Sequence, residues 1–393
     1  MKVIEFIKKP AVLIPAAALI LFALVTAGIL KSCQGGESAK AQPVIVFYDL
    51  DEDIEEILKS QIEELSSGLG CSYRFKHIDG DKKLSSREIR NYELLITKNG
   101  IAADNLSEST MTISDRCFTS VPNSLSINKK ILPIILDHNE VSVYTVPQKK
   151  LNLTLPSTWK EYMAFLKAER DSSLIENPSI CAGKENSQLF GFISNLALTK
   201  LGINGYKELT KELSLSNGRT VTPMLTSVLN EIKEMQDQGL ILKNWYEVTE
   251  SDLLQYYFKE RKTGVYYMSL SLHRKVQQLY IKYFETMDFP KADIATKEAV
   301  TGSSICALQI NNKFKGEELL SILLSSKVQE YLTDKSRLAP VNKKCMAYDS
   351  QSDDVRFWVA SSPAGLIPDI SYASFDDPVK RSRLADAIRS YLK

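Results

Sequence analysis

The side chains best placed to do chemistry in this chain of 393 residues are two aspartates that follow its first predicted strand. Asp49 and Asp51 form a D-x-D at the start of an acidic run that extends to Glu56. Two carboxylates at this spacing can hold a divalent cation against a phosphate group. A D-x-D is short and is expected by chance in an acidic run. Asp49 can equally well cap a helix that begins near Asp53.

Other catalytic patterns are absent from the sequence. The D-x-D superficially resembles the phosphatase motif D-x-D-x-Thr, but Asp53 stands where that motif has Thr. The chain contains no G-x-S-x-G, no H-E-x-x-H and no phosphate-binding loop. Its three histidines are too few for a His-rich metal site. We therefore predict a protein that is not an enzyme, with no catalytic residue, no cofactor and no metal.

The composition is that of a globular protein with balanced charge. The chain has 49 basic and 48 acidic side chains, and 44% of its residues are hydrophobic. A disordered chain would be less apolar and more charged. A nucleic-acid-binding protein would need a clustered basic excess, so we predict no such partner. At roughly 150 residues per domain, the length predicts two domains or lobes.

Residues 1–42 are predicted to be a membrane segment and a tether. Three lysines lie within the first nine residues, and residues 11–30 carry no charge, which is long enough to cross a ~30 Å hydrocarbon core. Residues 30–33 resemble a bacterial lipobox that would attach lipid to Cys33, although Lys31 departs from that pattern. With either anchor, the rest of the chain is exported.

Five cysteines follow Cys33, at positions 71, 117, 181, 306 and 345. They form no C-x-x-C pair, which disfavours zinc and thioredoxin chemistry. An oxidising compartment would permit disulfides, but the spacing assigns no partners. Buried free thiols are the simpler interpretation.

Strands and helices alternate along the chain after the tether. Residues 44–48, 72–78 and 93–97 are predicted strands, and apolar residues at helical spacing predict a helix over 54–65. Strand, helix, strand in this order indicates a mostly parallel sheet. Residues 131–146 form a long extended segment.

The clearest local signal in the second half is a capping box. Thr158 and Glu161 form a T-x-x-E before an apolar helix that ends near Arg170. Further strands are predicted over 180–182, 264–268 and 304–310, and further helices over 188–201, 224–238, 252–259, 273–284, 316–332 and 377–392.

Four stretches in this order carry a family resemblance. Residues 44–49 match an opening strand, and Leu132-Pro133 through Val143-Tyr144 match a crossing strand that leads to a Pro-x-Thr-Trp helix start at residues 156–159. Residues 258–268 and 303–340 match a second-lobe strand and a return strand with its helix and closing Pro. Together they resemble the extracytoplasmic solute-binding proteins of ABC importers, in the class that takes sugars.

The resemblance covers nearly the whole exported chain, but each motif is loose. Thr145 stands where the family commonly has Asn, and Tyr266 and Tyr267 replace small residues before Met268. These departures indicate a distant member whose ligand-facing motifs have drifted.

The resemblance implies an α/β, two-lobed periplasmic-binding-protein-like fold with hinge-crossing strands, preceded by the N-terminal membrane segment. Residues 43–143 and 288–337 would form the first lobe, and residues 144–287 and 338–393 the second. It also implies a monomer, held on the outer face of the cell membrane, that captures a small polar solute, most simply a saccharide, and delivers it to an ABC permease.

The ligand is expected in the cleft where the strand ends of both lobes converge. Asp137 lies midway along the crossing segment, where the family often has an acidic residue facing a sugar hydroxyl. Carboxylates and amides suit hydroxyls, and aromatic rings suit the apolar face of a sugar. The predicted ligand-binding residues are Tyr48, Asp49, Lys98, Asn99, Asp137, Ser269, Ser271 and Tyr372. Each of them also has a structural interpretation as a packing, capping or turn residue.

Two alternatives stay open at this point. The fold could serve as a surface component without a transport role, because the ligand-facing motifs are where the chain departs most. A membrane anchor followed by Asp49-x-Asp51 is also similar to type II membrane glycosyltransferases.

Overall fold

A computed structural model describes residues 42–292 and 298–393. The predicted membrane segment, the lipid site at Cys33 and the tether lie outside these residues, apart from Gln42. Within the described ranges, no helix combines the length and the apolar character needed to cross a membrane.

Strands from both lobes join in one mixed sheet. The strands are β1 Val44–Tyr48, β2 Arg74–Ile78, β3 Leu94–Lys98, β4 Leu132–Tyr144, β5 Asn177–Cys181, β6 Thr263–Ser269, β7 Phe284–Met287, β8 Val300–Gln309, β9 Ala339–Pro340 and β10 Leu366–Pro368. The main path runs β2-β1-β3-β8-β4-β6-β5, with β10 on β8 and with β7 and β9 on β4.

Helices cover the faces of this sheet. They are α1 Glu52–Leu69, α2 Ser86–Ile89, α3 Ile101–Ser107, α4 Thr145–Lys150, α5 Trp159–Asp171, α6 Asn186–Ser216, α7 Pro223–Asp237, α8 Glu250–Asp252, α9 Leu270–His273, α10 Gln278–Ile281, α11 Gly316–Leu323, α12 Ser326–Ser336, α13 Ser350–Ser361, α14 Ile370–Ser374 and α15 Pro378–Leu392. Shorter 3₁₀ turns span Asp115–Phe118, Asn123–Leu125 and Trp245–Glu247, and a π-helical turn spans Leu253–Phe258.

The first lobe is built on β2, β1 and β3, which are parallel as the sequence predicts. The next strand, β8, is antiparallel to β3 because it returns from the second lobe, and Leu94 lies opposite Gln309. The core of this lobe is mainly aliphatic, with Ile45, Ile96 and Leu320 fully buried.

The second lobe is built on β6, with β5 parallel to it and the second half of β4 antiparallel to it. Its core is rich in aromatic rings, among them Trp159, Tyr162, Phe192, Trp245 and Phe289. The capping box predicted at Thr158 and Glu161 is present at the start of α5.

The strand β4 belongs to both lobes. Residues 132–138 pair with β8, and residues 139–143 pair with β6. The mixed α/β architecture with a strand that crosses between two lobes is therefore confirmed.

The helix predicted to close at Gly202 does end there, because Gly202 adopts a non-helical φ of 66°, and a second helical segment of α6 continues from it to Ser216. Two other predicted elements differ from the structure. The helix predicted over 273–284 is replaced by the short α10 and by β7, whose residues pair with β4. The helix predicted over 316–332 is interrupted between α11 and α12.

The helix α13 was not predicted and joins the first lobe. Its Val355 and Val359 are fully buried in the aliphatic core with Ile45. The predicted boundary had placed all of residues 338–393 in the second lobe. By contrast, Leu384 and Ile388 of α15 do pack in the aromatic core of the second lobe.

The five described cysteines are free thiols, and all except the half-buried Cys71 are buried. Burial raises the pKa of Cys117 and of Cys345 to about 11. These two thiols therefore stay protonated and unreactive near neutral pH.

Candidate functional site

A cavity of about 350 Å³ lies where the two lobes meet at the crossing strands. Both lobes and the crossing strands contribute to its wall, and most of the side chains are charged or carry hydroxyl groups. The lining residues are Asp51, Asp53, Lys98, Asp137, Asn139, Ser187, Glu250, Ser269, Ser271, Arg274, Lys275, Gly302, Ser303, Asp369 and Tyr372. Five of the eight predicted ligand-binding residues are in this set: Lys98, Asp137, Ser269, Ser271 and Tyr372.

Asp137 stands on the crossing strand β4, opposite Ser303 of β8. The backbone N–H of Ser271 donates to Asp137 Oδ1 over 2.9 Å. Burial raises the pKa of Asp137 to about 6, although Ser271, Arg274 and Lys98 all favour its ionised form. Asp137 is therefore a carboxylate that is ionised at neutral pH and can accept hydrogen bonds from a solute.

The second-lobe wall is held by a network of neutral groups. Ser269 ends β6 and caps α9, where its Oγ accepts from the backbone N–H of Leu272 at 3.2 Å. Gln188 of α6 donates to Ser269 Oγ at 2.9 Å and accepts from the Ser269 N–H at 3.0 Å. The hydroxyls of Ser269 and Ser271 are 2.7 Å apart. These bonds fix the two hydroxyl groups in position before any solute arrives.

The three cations of the lining each lie against a carboxylate of the same lining. Lys98 Nζ is 2.8 Å from Asp51 Oδ2, and Lys275 Nζ is 2.7 Å from Glu250 Oε2. Arg274 pairs with Asp53, which joins a second-lobe residue to the start of α1 in the first lobe. Burial opposes the charge of Lys98, but Tyr372, Asp51 and Asp49 raise its pKa on balance.

Tyr372 is held between two cations at the edge of the cavity. Lys98 Nζ lies 5.4 Å from the centre of its ring, and the guanidinium of Arg381 lies 4.3 Å from it. A Cβ added to Gly100 of the first lobe would lie 2.6 Å from the backbone oxygen of Tyr372. Tyr372 therefore touches the first lobe, and its ring already contacts cations of the protein.

Tyr48 and Asp49 do not line the cavity. Tyr48 is 5% exposed, and its hydroxyl donates to the backbone oxygen of Gly80 at 3.2 Å. Contrary to prediction, its ring packs inside the first lobe, because the face of the sheet on which it lies is covered. Asp49 adopts a φ of 52° and pairs with Arg381 of α15, so it joins the two lobes.

Asn99 lies outside the interlobe cavity. Its backbone N–H donates to the backbone oxygen of Ser304 at 2.7 Å, and the residue lines a separate cavity of about 230 Å³ beside Pro133 and Leu366. The turn at Lys98-Asn99 turns only Lys98 toward the interlobe cavity.

Sequence reasoning missed two thirds of the lining. The missed residues are Asp51, Asp53, Asn139, Ser187, Glu250, Arg274, Lys275, Gly302, Ser303 and Asp369. Asp51 was noted only as part of the D-x-D. Ser303 could have been found from the pairing of β8 with Asp137, whereas Glu250 begins the short helix α8 and Arg274 follows the short helix α9, and no motif connects either residue to the site.

The two aspartates of the D-x-D face different cations. Asp49 pairs with Arg381, and Asp51 pairs with Lys98. In the part of the chain that the structure describes, no group of three or more His, Cys, Asp or Glu residues is arranged to hold a metal ion.

No family model matches this sequence, and no curated protein matches it either. Solved structures do match along almost the whole described chain. A bacterial solute receptor, AcbH, described as having an exclusive preference for β-D-galactopyranose, is 12% identical with a TM-score of 0.66, over 90% of this chain and 94% of that one.

Two further solved structures agree with it. A putative binding protein, MsmE, from Bacillus subtilis in an open conformation is 13% identical with a TM-score of 0.68, over 90% of this chain and 96% of that one. A sugar transporter protein from Bacillus licheniformis in complex with stachyose is 15% identical with a TM-score of 0.61, over 89% of this chain and all of that one, 100%. At these identities the likeness shows the fold. The chain has the two-lobed fold of sugar-binding solute receptors.

Proposed function

We propose that this protein captures a small polar solute, a saccharide, in the cavity between its lobes and delivers it to an ABC permease. The observation that carries the proposal is the cavity of about 350 Å³ lined by side chains of both lobes at the crossing strands. Ligand pockets in proteins span about 300–1,000 Å³, so this cavity suits a small solute.

The chemistry of the lining supports a saccharide. Asp137 offers carboxylate oxygens, and Ser271 offers a hydroxyl that is held in place by the fully bonded hydroxyl of Ser269. Sugar hydroxyls both donate and accept, so they are matched by this combination. The similar solved structures also include receptors for galactopyranose, raffinose and stachyose.

The contacts between the lobes support capture by closure. The ion pairs Asp53–Arg274 and Asp49–Arg381 each join a first-lobe carboxylate to a second-lobe guanidinium. A solute held between the lobes would be shielded from water when these pairs form, and hinge motion about the crossing strands would admit it.

We also propose that the protein is exported and anchored to the membrane, through lipid on Cys33 or through residues 11–30. The support is the charge-free run after three lysines in the sequence. Fractionation of cells that express Cys33→Ala tests the anchor. Loss of membrane retention supports the lipid, and unchanged retention eliminates the lipid and leaves the helix.

Calorimetry with the saccharide returned by a thermal-shift screen tests the site. Asp137→Ala should weaken affinity roughly ten- to a hundredfold, because an unmet hydrogen-bonding group costs ~1–3 kcal/mol. The exposed Lys167→Ala is the surface control, and Tyr48→Phe should also leave affinity unchanged, because Tyr48 packs inside the first lobe. Wild-type affinity in Asp137→Ala would show that the solute does not bind in this cavity.

A further inference from the structure

Carboxylates outnumber cations in the wall of the interlobe cavity. The lining contains five carboxylates, Asp51, Asp53, Asp137, Glu250 and Asp369, and three cations, Lys98, Arg274 and Lys275. With all of these groups ionised, the wall carries a formal charge of −2. The cavity is therefore an acidic environment for any solute it encloses.

None of the three lining cations is left over for an anionic solute. Lys98 pairs with Asp51 at 2.8 Å, Lys275 pairs with Glu250 at 2.7 Å, and Arg274 pairs with Asp53. A solute carboxylate would have to displace one of these partners. It would also face the two remaining carboxylates, and like charges in a partly desolvated site repel strongly.

Those two carboxylates differ in their surroundings. Asp369 Oδ1 accepts from the N–H and the hydroxyl of Ser371, at 2.8 and 2.6 Å, and from the N–H of Tyr372 at 3.1 Å, so it caps α14. Asp137 Oδ1 accepts from the N–H of Ser271. Asp137 thus accepts fewer hydrogen bonds than Asp369 and forms no ion pair of its own. Arg274 and Lys98 favour its ionised form, but each is already paired with another carboxylate, so enclosing Asp137 still costs free energy.

We propose that the cavity prefers saccharides that carry an ammonium group over neutral sugars of the same ring, and that Asp137 determines this preference. The inference rests on the proposed function, since it names the class of saccharide for the same site. An ammonium group supplies the missing positive charge and donates to the carboxylate, whereas a neutral hydroxyl supplies only the donor. An acidic sugar adds a third uncompensated negative charge.

The test is calorimetry on the full-length protein at pH 7.0 with glucosamine, N-acetylglucosamine, glucose and glucuronate, and with the β-1,4-linked dimers of the first two. N-acetylglucosamine keeps the nitrogen but not the charge. Glucosamine should bind at least tenfold more tightly than N-acetylglucosamine and glucose, its dimer should show the same advantage over the N-acetylated dimer, and glucuronate should bind most weakly. In Asp137→Asn the amino sugar should lose most of this advantage, while Asp171→Asn, an exposed carboxylate on α5, should retain it.

A pH titration adds an independent readout. Because the pKa of Asp137 is about 6, the advantage of the amino sugar should shrink between pH 7.0 and pH 5.0 in the wild type. Lys98 and Arg274 face this carboxylate and remain charged throughout that range, and the hydrogen-bonding N–H of Ser271 is neutral and does not titrate, so these groups do not produce the change. The advantage should not shrink in Asp137→Asn, which has no titrating group at that position.

The outcomes separate the two proposals. Neutral sugars that bind as tightly as the amino sugars, or a preference that persists in Asp137→Asn, would overturn the inference and leave saccharide capture standing. Putrescine serves as a cation without a sugar ring. If putrescine bound and no sugar did, both proposals would be overturned. Both would also be overturned if neither these probes nor any saccharide in the thermal-shift screen bound.

Discussion

Two carboxylates three residues apart on the crossing strand β4 have opposite environments. Asp137 lines the interlobe cavity and accepts a backbone N–H from Ser271. Glu140 is 1% exposed, and its Oε1 lies 2.6 Å from Nδ1 of His273, which is also 1% exposed. Residues at this separation on a strand point to opposite faces, so one strand serves the cavity with one face and the interior with the other.

The difference lies in what balances each charge. Burial opposes the charge of His273, but the carboxylate of Glu140 raises its pKa, and Ser142 Oγ lies 3.3 Å from the same imidazole nitrogen. Glu140 is therefore matched inside the protein and holds the crossing strand to α9. Asp137 forms no ion pair of its own, because the nearby Lys98 and Arg274 are paired with Asp51 and Asp53, and it is available to a solute. Breaking the Glu140–His273 pair should therefore affect stability, and removing the Asp137 carboxylate should affect binding.

The largest effect is expected from His273→Ala. It leaves Glu140 buried without a counter-charge, and breaking a buried pair in this way costs about 3–5 kcal/mol. Urea unfolding of the variant should show this loss in the free energy of unfolding. The double variant Glu140→Gln/His273→Ala should recover part of it. A loss below about 1 kcal/mol would mean that the pair does not hold the strand.

A smaller effect is expected from the titration of Asp137 on the free energy of unfolding. Burial raises its pKa from 3.8 to about 6, so the folded protein binds a proton more tightly than the unfolded chain does. The free energy of unfolding should therefore fall as pH rises through that window, by up to about 3 kcal/mol. The ligand-free Asp137→Asn variant should lack this decline. An identical pH profile in the two proteins would place Asp137 in a more solvated setting than the structure indicates.

The smallest effect is expected for the interlobe pair at the cavity rim. Asp53 is 56% exposed where it meets Arg274, and exposed pairs contribute about 0–1 kcal/mol. Asp53→Ala should change the free energy of unfolding by no more than that, and the change should shrink at high salt. The exposed pair Asp171–Arg170 provides a matched control through Asp171→Ala. A loss comparable to that in His273→Ala would remove the distinction between rim and interior.

The sequence predicted best those features that depend on local pattern. The strand over residues 44–48 and the capping box at Thr158 follow from apolar runs and from side chain to backbone bonds within a few residues. The helix predicted over 273–284 is wrong and the strand over 284–287 was not predicted, because this strand exists only through pairing with β4, which lies far away in the sequence.

The candidate site shows the same division between features that depend on local pattern and features that depend on long-range packing. Lys98 and Ser269 were predicted because strand ends converge at a cleft, a rule that needs only the strand positions, whereas Asp137 was predicted from the family resemblance of the crossing segment. Tyr48 was misassigned because its place at the end of β1 predicted a cleft residue, whereas both faces of β1 are covered by the lobe and its ring packs with Val46 on one of them. Glu250 and Arg274 reach the cavity from the ends of the short helices α8 and α9, whose positions depend on packing across the second lobe.

The crossing strands also set the order in which the chain can fold. The first lobe needs β8 beside β3, and that pairing joins Leu94 to Gln309, more than 200 residues along the chain. The second lobe needs α15 at the end of the chain to cover its aromatic core. During synthesis from the N-terminus, neither lobe can be completed until almost the whole chain has emerged, and contacts of such sequence separation form slowly. Folding of this protein should therefore be post-translational and late, with both lobes maturing together.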